Sequence, residues 1–204
     1  AVTDNPLIFS ERETISAGHF HGQPLALPLD YLSLAMAELG NISDRRIYLS
    51  LEGKTGGVPK LLMADTGLNS GFMIVQYTTA ALVSENKGLC FPASADSIPT
   101  SLGQEDHVSM GSISGRKAWR VIDNVEKIIA IELLCAAQAQ GFHPLKSSPI
   151  LQQLHERIRE EVPQLTRDVY LHEPIQSLIQ LVRSRALLQQ IHLSTPWSDI
   201  FDTY

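Results

Sequence analysis

The stretch SLGQEDHVSMG, residues Ser101–Gly111, opens the longest helical pattern in the chain. Four consecutive residues in it, Gln104–His107, carry an amide, two carboxylates and an imidazole. The apolar periodicity that follows predicts a helix from near Gln104 to Gly141, which at 1.5 Å per residue would be roughly 55 Å long. We therefore expect one long helix to organise the fold, with titratable groups gathered at its positive N-terminal end.

The predicted helix is too long and too apolar for this chain to cover. A globule of this chain length has a diameter of only roughly 43 Å. The small residues of Gly111–Gly115 would let another helix approach closely, and a break in the helix at those glycines is the alternative. We predict a neighbouring subunit or further polypeptide against the helix, because apolar residues occur on more than one of its sides. They are Val121, Ile122, Val125, Ile128, Ile129, Ile131, Leu133 and Leu134.

Other segments predict that the chain is nearly all α. Residues 1–23 favour loops and short extended pieces, and Pro28 should kink the first helix or move its start. Gly40 and Asn41 are typical of a helix end. The helical patterns cover 24–39, a second helix that Ser43 caps, 69–87 with Asn69 or Ser70 as cap, 149–162 and 174–188.

The chain divides by character near residue 144. We expect 1–143 to be part of a helical bundle with site loops and 144–204 to be a C-terminal helical segment. The last residues, 194–204, form an acidic tail whose aromatic side chains should dock on something: Trp197, Phe201 and Tyr204. The sequence enters directly on Asp4-Asn5-Pro6 with no leading element, so we interpret it as a fragment of a longer chain.

Composition narrows the class of partner. The formal charge of −6, from 16 basic and 22 acidic residues, argues against binding to nucleic acid or to an anionic membrane. Cys90 and Cys135 have apolar neighbours, so we predict buried thiols in a reducing compartment, the cytoplasm, rather than a disulfide. The apolar run Ile128–Leu134 is far too short to span a bilayer.

Gln104–His107 has a structural and a functional interpretation. Ser101 and Gln104 have the spacing of a capping box, and acidic residues suit the first turn of a helix. Alternatively, Glu105 points into a cavity, where it exchanges a proton or binds an ammonium group. The residues alone leave both open.

The cluster His19-Phe20-His21 has three interpretations. It could bind a metal with His107 or Asp106 as a third ligand, present an aromatic ring to a pocket, or be a simple packed loop. No cysteine ligand and no Glu-x-x-His pattern accompanies it, so we predict no metal site. Asn5 has the sequence context of a turn residue that bonds the backbone.

Several of these motifs together resemble the histidine ammonia-lyase family, within the aromatic amino acid lyases. The resemblance runs in order from residue 1 to about 140 and is loose beyond 145. Its pieces are Asp4–Leu7, Ser16–Pro24, Asn69–Met73, Ser84–Lys87, Asp96–Ser101 and Gln104–Gly111.

The resemblance implies an all-α fold, a long antiparallel helical bundle that assembles as a homotetramer. It implies elimination of ammonia from L-histidine to give trans-urocanate in histidine degradation. The family's electrophile is methylidene-imidazolone, which forms from an internal Ala-Ser-Gly. This sequence contains no Ala-Ser-Gly. The chain would then be roughly the C-terminal two-fifths of the family's polypeptide, inactive alone.

The resemblance also assigns roles to four residues. Glu105 looks like the family's active-site glutamate, near the amino group and imidazole of the substrate. Phe20 looks like the ring beside the prosthetic group, Asn5 like an amide that helps to hold the substrate carboxylate, and Gln104 like a neighbour that braces the site.

Two departures from the family leave alternatives open. The family usually has Asn at the positions of His19 and Gly103. A tyrosine or phenylalanine ammonia-lyase, or an aminomutase, is therefore an alternative, although relatives acting on those amino acids tend to have Gln in place of Glu105. A non-catalytic helical assembly module is the alternative from another class.

Overall fold

Helices dominate the computed structural model, which describes residues 3–190. A short antiparallel hairpin, β1 (Leu7–Ser10) and β2 (Glu13–Ile15), precedes them, where the sequence predicted extended pieces. The all-α prediction is thus confirmed apart from this hairpin, and the predicted acidic tail lies outside the described residues. The helices are α1 (Gln23–Leu51), α2 (Met73–Leu89), α3 (Gly111–Gln140), α4 (Pro149–Glu161), α5 (His172–Arg183) and α6 (Ala186–Gln190).

Helix α1 is one continuous helix, so the predicted end at Gly40-Asn41 is wrong. Gly40 is buried inside it, and packing there outweighs the low helix propensity of glycine. Ser43 does not cap a second helix, because its hydroxyl donates to the carboxylate of Glu132 on α3. Pro28 lies inside α1 and does not move its start, and it removes only the one helical bond that its missing amide would make.

Helix α3 begins at Gly111 rather than near Gln104, so the start predicted from periodicity is also wrong. Ser101, Leu102 and Gly103 form a tight turn in the left-handed region, with φ angles of 52°, 58° and 90°. A chain in that conformation cannot run straight on into a right-handed helix. The first helical bond of α3 runs from the amide of Ser114 to the carbonyl of Met110.

The C-terminal helices follow the prolines. Helix α4 starts at Pro149 as predicted and ends before Pro163, since the residue that precedes a proline disfavours helical geometry. The single helix predicted over 174–188 is divided into α5 and α6. Arg185 separates them with a φ of 58°.

The described residues form two compact units. The first contains 3–41 and 82–125. In it, the start of α1 lies along the start of α3. A side-chain carbon at Gly111 would lie 3.6 Å from Ala26, and further along both helices Lys117 is 3.6 Å from Asp30. Since contacts advance in step on both helices, α1 and α3 run in the same direction.

Helix α2 runs antiparallel to α3 in this unit. Glu85 on α2 accepts hydrogen bonds from Arg120 and Asn124. Beyond the end of α2, the carbonyl of Phe91 accepts from Lys117, which is earlier on α3. The antiparallel bundle implied by the family resemblance is therefore present.

The second unit contains 42–81 and 126–190 and holds most of the buried apolar residues. The buried amide of Gln138 donates to the carbonyls of Leu62 and Leu165 at 3.1 and 2.7 Å. The carboxylate of Asp168 accepts from the amides of Ser70 and Gly71, both at 2.8 Å. Helix α2 begins at Met73, so neither Ser70 nor Asn69 occupies its N-cap position, and the side chain of Asn69 accepts instead from the amide of Asp168. These bonds tie the C-terminal segment to the loop before α2.

The eight α3 residues of the prediction do not form an uncovered apolar surface, although Trp119 earlier on α3 is exposed, whereas α1 carries an uncovered apolar face. On α3, five of the eight apolar residues of the prediction are buried and three are half-buried. On α1, large apolar side chains stand exposed at helical spacing: Leu27, Tyr31, Leu34, Ile42 and Leu49. We call these five residues the outer stripe. They recur every three, four or seven or eight positions, which keeps them on one face of the helix.

The structure tests two predictions made from composition, that the cysteines are free thiols and that no helix spans a membrane. Both cysteines are free thiols, as predicted, and Cys135 is buried, but Cys90 is only half-buried, so the prediction of burial is wrong for Cys90. Among the described helices, none is both long enough and apolar enough to cross a bilayer.

Candidate functional site

All four site residues expected from the sequence line one cavity in the first unit. Asn5, Phe20, Gln104 and Glu105 surround a space of about 420 Å³. They come from two stretches of sequence more than eighty residues apart, the segment before α1 and the segment before α3. A grouping of carboxylate, amide and aromatic ring in one concave place is typical of a small-molecule site.

Asn5 is fixed by the chain that follows the hairpin. Its Oδ1 accepts from the hydroxyl of Ser16 and from the amide of Ala17, both at 3.0 Å. Asn5 therefore bonds the backbone as predicted, but to a residue twelve positions away rather than within its own turn. Because Oδ1 is occupied, the two Nδ2 hydrogens are what Asn5 can offer to a ligand.

Phe20 lies in a short 3-10 turn, His19–His21, directly before α1. Gly22 closes the turn with a φ of 79°, a conformation that suits glycine, and α1 starts at the next residue. Phe20 is 45% exposed and lines the cavity. Its ring lies against the ring of His21, with the two ring centroids 4.2 Å apart. An apolar ring is therefore available to a ligand.

Glu105 is placed by the left-handed turn and not by a helix end. The turn folds the chain back so that Thr100 and Glu105 exchange backbone hydrogen bonds, at 3.0 and 3.3 Å. Glu105 is half-buried, while Gln104 and Asp106 beside it are exposed. The capping-box interpretation is wrong, because Ser101 makes no cap and lies ten residues before α3.

The departure at Gly103 now has a physical meaning. Gly103 has a φ of 90°, and an added side-chain carbon would meet nothing within 4 Å. Asn is the non-glycine residue that best tolerates the left-handed region. Gly103 and the Asn expected there from the family resemblance would therefore satisfy the same backbone requirement.

The cavity also includes residues to which the family resemblance assigned no role. Asp106 and His21 line it, together with residues 16–18. The ring of His21 meets the ring of His107 edge to face, with centroids 5.6 Å apart. Proximity to Glu105 and Phe20 in the sequence is the signal that could have indicated both.

The histidines do not gather into a metal site within residues 3–190. No group of three His, Cys, Asp or Glu side chains there is arranged to hold an ion. His107 instead bonds through Nδ1 to the hydroxyl of Ser97 at 3.1 Å. Since Ser97 Oγ already accepts from the amide of Val108, its own proton is free to donate to His107.

Comparison with known protein families identifies the fold. The model of the family described as aromatic amino acid lyase matches residues 1–160. The histidine ammonia-lyase of Natranaerobius thermophilus is 51% identical over 194 residues, which are 94% of this chain and 38% of that protein. The histidine ammonia-lyase of Deinococcus radiodurans is 54% identical over 171 residues, 83% of this chain and 33% of that protein. The chain thus spans less than two-fifths of the relatives it matches.

Solved structures agree with the sequence matches. The crystal structure of histidine ammonia-lyase from Trypanosoma cruzi superposes with a TM-score of 0.91 at 44% identity, over 98% of this chain and 40% of that one. Tyrosine aminomutase from Streptomyces globisporus superposes with a TM-score of 0.87 at 38% identity, over 92% of this chain and 36% of that one. From its sequence and its fold alike, the chain belongs to the aromatic amino acid lyase family.

Proposed function

We propose that this chain forms one wall of the active site of a histidine ammonia-lyase, which eliminates ammonia from L-histidine to give trans-urocanate. The observation that carries the proposal is the meeting of Asn5, Phe20, Gln104 and Glu105 at one cavity. Relatives whose sequences are 51% and 54% identical to this chain are named histidine ammonia-lyases, which supports histidine as the substrate.

Glu105 is the residue that favours histidine over other aromatic amino acids. Histidine has two nitrogen-bearing groups, the α-ammonium and the imidazole, and a carboxylate can accept a hydrogen bond from either. Such charge-assisted bonds are roughly twice as strong as neutral ones. A phenyl ring gives the carboxylate no hydrogen-bond donor, and a phenol has its single donor at the far end of the ring, in a different position from the imidazole N–H groups. The half-buried Glu105 therefore discriminates between substrates by the position of the donor.

The other three residues hold and orient the substrate. The free Nδ2 donors of Asn5 suit the substrate carboxylate, since its Oδ1 is already engaged. The exposed face of Phe20 covers the aromatic side of the ligand and keeps water from it. Gln104 adds an amide beside Glu105. The base that removes the β-proton belongs, in this proposal, to polypeptide outside this chain.

The prosthetic group of this proposal is methylidene-imidazolone. The half-exposed Phe20 ring at the cavity is a flat apolar surface against which a small planar heterocycle fits. Phe20 would hold the group from this chain's side, and Glu105 would face the substrate beside it. When bound, the group supplies the electrophilic carbon that activates the amine as a leaving group. Because no Ala-Ser-Gly occurs here, the group would be made elsewhere in the polypeptide.

The proposal includes assembly as a homotetramer in the cytoplasm. The outer stripe of α1 leaves apolar side chains uncovered, which supports burial against other copies or the rest of the polypeptide. Two free thiols are typical of a reducing compartment.

A tyrosine-directed lyase or aminomutase is the second candidate. The match to tyrosine aminomutase at 38% identity and His19 in place of the usual Asn favour it. An ammonia-lyase releases ammonia and leaves an unsaturated acid, whereas an aminomutase returns an amino acid isomer.

The test is a substrate panel on the complete enzyme that contains this chain. Histidine, tyrosine and phenylalanine are incubated separately, and released ammonia and the product are both quantified. We expect ammonia and urocanate in equal amounts from histidine and at least tenfold slower turnover of the other two. Faster reaction with tyrosine, or an amino acid isomer as product, would reject the proposal.

A further inference from the structure

An ion pair between a buried aspartate and a half-buried lysine lies outside the cavity residues in the first unit. Asp30 on α1 is 5% exposed, and its Oδ2 accepts from the amide of Ser94 at 2.7 Å. The ammonium of Lys117 on α3 is 3.6 Å from Oδ1 of Asp30 and donates to the carbonyl of Phe91. The pair therefore holds residues 91–94 by hydrogen bonds to their backbone, in the loop that connects α2 to the left-handed turn.

Asp30 is ionised in this setting. Burial by itself raises the pKa of the Asp30 carboxyl, but the hydrogen bonds from Ser94, the charge of Lys117 and the hydroxyl of Ser114 outweigh it and leave the pKa below its ordinary value. A charged aspartate inside a helical bundle is unfavourable unless its partners are held in place. The arrangement indicates a function in fixing the loop.

The loop held by this pair leads directly to Glu105. Three residues after Ser94, Ser97 pairs with Ser109 through the backbone and with His107 through its hydroxyl. Three residues further on, Thr100 exchanges backbone bonds with Glu105. One wall of the cavity is thus built on the loop that Asp30 and Lys117 hold.

The same cluster reaches the other wall. Gln23 is the first residue of α1, directly after the turn that carries Phe20, and its Nε2 donates to the carbonyl of Ser94 at 2.9 Å. Ser94 therefore bonds Asp30 through its amide and Gln23 through its carbonyl. Both segments that bring site residues to the cavity meet at this one loop residue.

We propose that Asp30, together with Lys117, is a positioning residue that fixes Glu105 and Phe20 relative to each other across the cavity. Its role in turnover rests on the function proposed above, whereas the positional claim rests on the contacts alone. Neither residue lines the cavity, so both act through Ser94 and the loop.

Asp44 provides a matched control on the same helix. It is also 5% exposed and accepts a hydrogen bond from Thr79 at 2.6 Å. Asp44 belongs to the second unit, and its bond to Thr79 does not involve any cavity-lining residue. Asp44→Asn therefore reports the general effect of neutralising a buried aspartate in α1.

The first readout is hydrogen exchange of the amides in 97–109, measured on the complete enzyme. We expect Asp30→Asn and Lys117→Met each to accelerate exchange there by about tenfold or more, since local opening controls exchange. Asp44→Asn should leave 97–109 at the wild-type rate. Lys117→Met keeps the test decisive if Asp30→Asn fails to fold.

The second readout is the split between kcat and KM for histidine. A displaced Glu105 loses interactions made in the transition state, so kcat should fall about 10- to 100-fold with a smaller change in KM. Lys117→Arg, which keeps the charge, should recover most of kcat. Asp44→Asn should retain wild-type kcat and KM.

Wild-type exchange and wild-type kcat in both Asp30→Asn and Lys117→Met would overturn the proposal, as would the same losses in Asp44→Asn. If the wild-type enzyme released no ammonia from histidine, the proposed function would fall. The exchange measurement would still decide whether Asp30 positions the loop.

Discussion

Helices α1 and α3 have nearly equal lengths, 29 and 30 residues, and opposite surroundings. Five apolar side chains of α3 are buried by the described chain itself, and among the large apolar residues of this helix only Trp119 and Ile113, toward its start, are exposed. The buried five are Val121, Val125, Ile128, Ile131 and Leu134. The outer stripe of α1 is between 45% and 74% exposed. The chain therefore uses α3 as its internal scaffold and leaves one face of α1 for something else.

The two helices also share one feature, because each begins just after a segment that lines the cavity. The turn that carries Phe20 precedes α1, and the segment that carries Glu105 precedes α3. The cavity is therefore anchored to the buried helix α3. The cavity is also anchored to α1, whose outer stripe is exposed and can be covered by further polypeptide.

The largest expected effect is on stability, from truncation of a buried α3 residue. In this chain, Ile128→Ala should lower the free energy of unfolding by about 2–5 kcal/mol, because it leaves a cavity in the core. Leu34→Ala on the outer stripe should change it by no more than about 0.5 kcal/mol. Denaturant titration of the chain measures both, and equal losses would remove the distinction between the two helices.

The next effect is on assembly. Leu34→Asp should lower the molar mass of the complete enzyme in solution, because a carboxylate on the outer stripe would be buried without a partner. Leu145→Asp, which changes a more exposed leucine outside the long helices, is the control and should leave the mass unchanged. Light scattering decides. An unaltered mass for Leu34→Asp would mean that the outer stripe is not covered by another copy.

A smaller effect is expected at the entrance to α3. Gly103→Val should cost about 1–3 kcal/mol of stability or slow turnover correspondingly, because a branched residue must adopt a positive φ. Gly103→Asn should be nearly neutral, since the space around Gly103 is open and Asn tolerates that conformation. Unfolding midpoints and ammonia release are measured for both. If Asn were as harmful as Val, backbone conformation would not be what matters at this position.

The smallest effect separates the two thiols. Burial raises the pKa of both Cys90 and Cys135, so each has less thiolate near neutral pH than an exposed cysteine. Half-buried Cys90, whose thiol contacts the α1 carbonyl of Ser33, should react slowly with a thiol reagent, and faster as the pH rises toward its elevated pKa. Cys135 on α3 should react only after unfolding. Simultaneous reaction of both below the unfolding transition would contradict the difference in burial.

The sequence predicted the elements well where periodicity and punctuation agree. Helix α4 lies between Pro149 and Pro163 as expected, because proline acts on its own neighbours regardless of tertiary contacts. The prediction from sequence was wrong where tertiary packing determines where a helix ends. Gly40-Asn41 has the local chemistry of a helix end, yet α1 continues through it, and Gly40 is buried.

Contiguous motifs were enough to identify the site residues, but they did not predict how those residues are arranged in space. Glu105 and Phe20 were identified through the family resemblance, while the left-handed turn at Ser101 could not be foreseen, since serine and leucine rarely adopt positive φ. The pairing of Asp30 with Lys117 joins residues 87 positions apart, and no local pattern indicates it.

The most direct test of the central claim compares Glu105→Gln with Glu13→Gln in the complete enzyme. Glu105 lines the cavity, whereas Glu13 is an exposed glutamate of β2 that does not. The measurement is the rate of urocanate formation from histidine. We expect Glu105→Gln to lower it about 100-fold or more and Glu13→Gln to leave it unchanged. An unaltered rate for Glu105→Gln would contradict the assignment of this cavity as part of the active site.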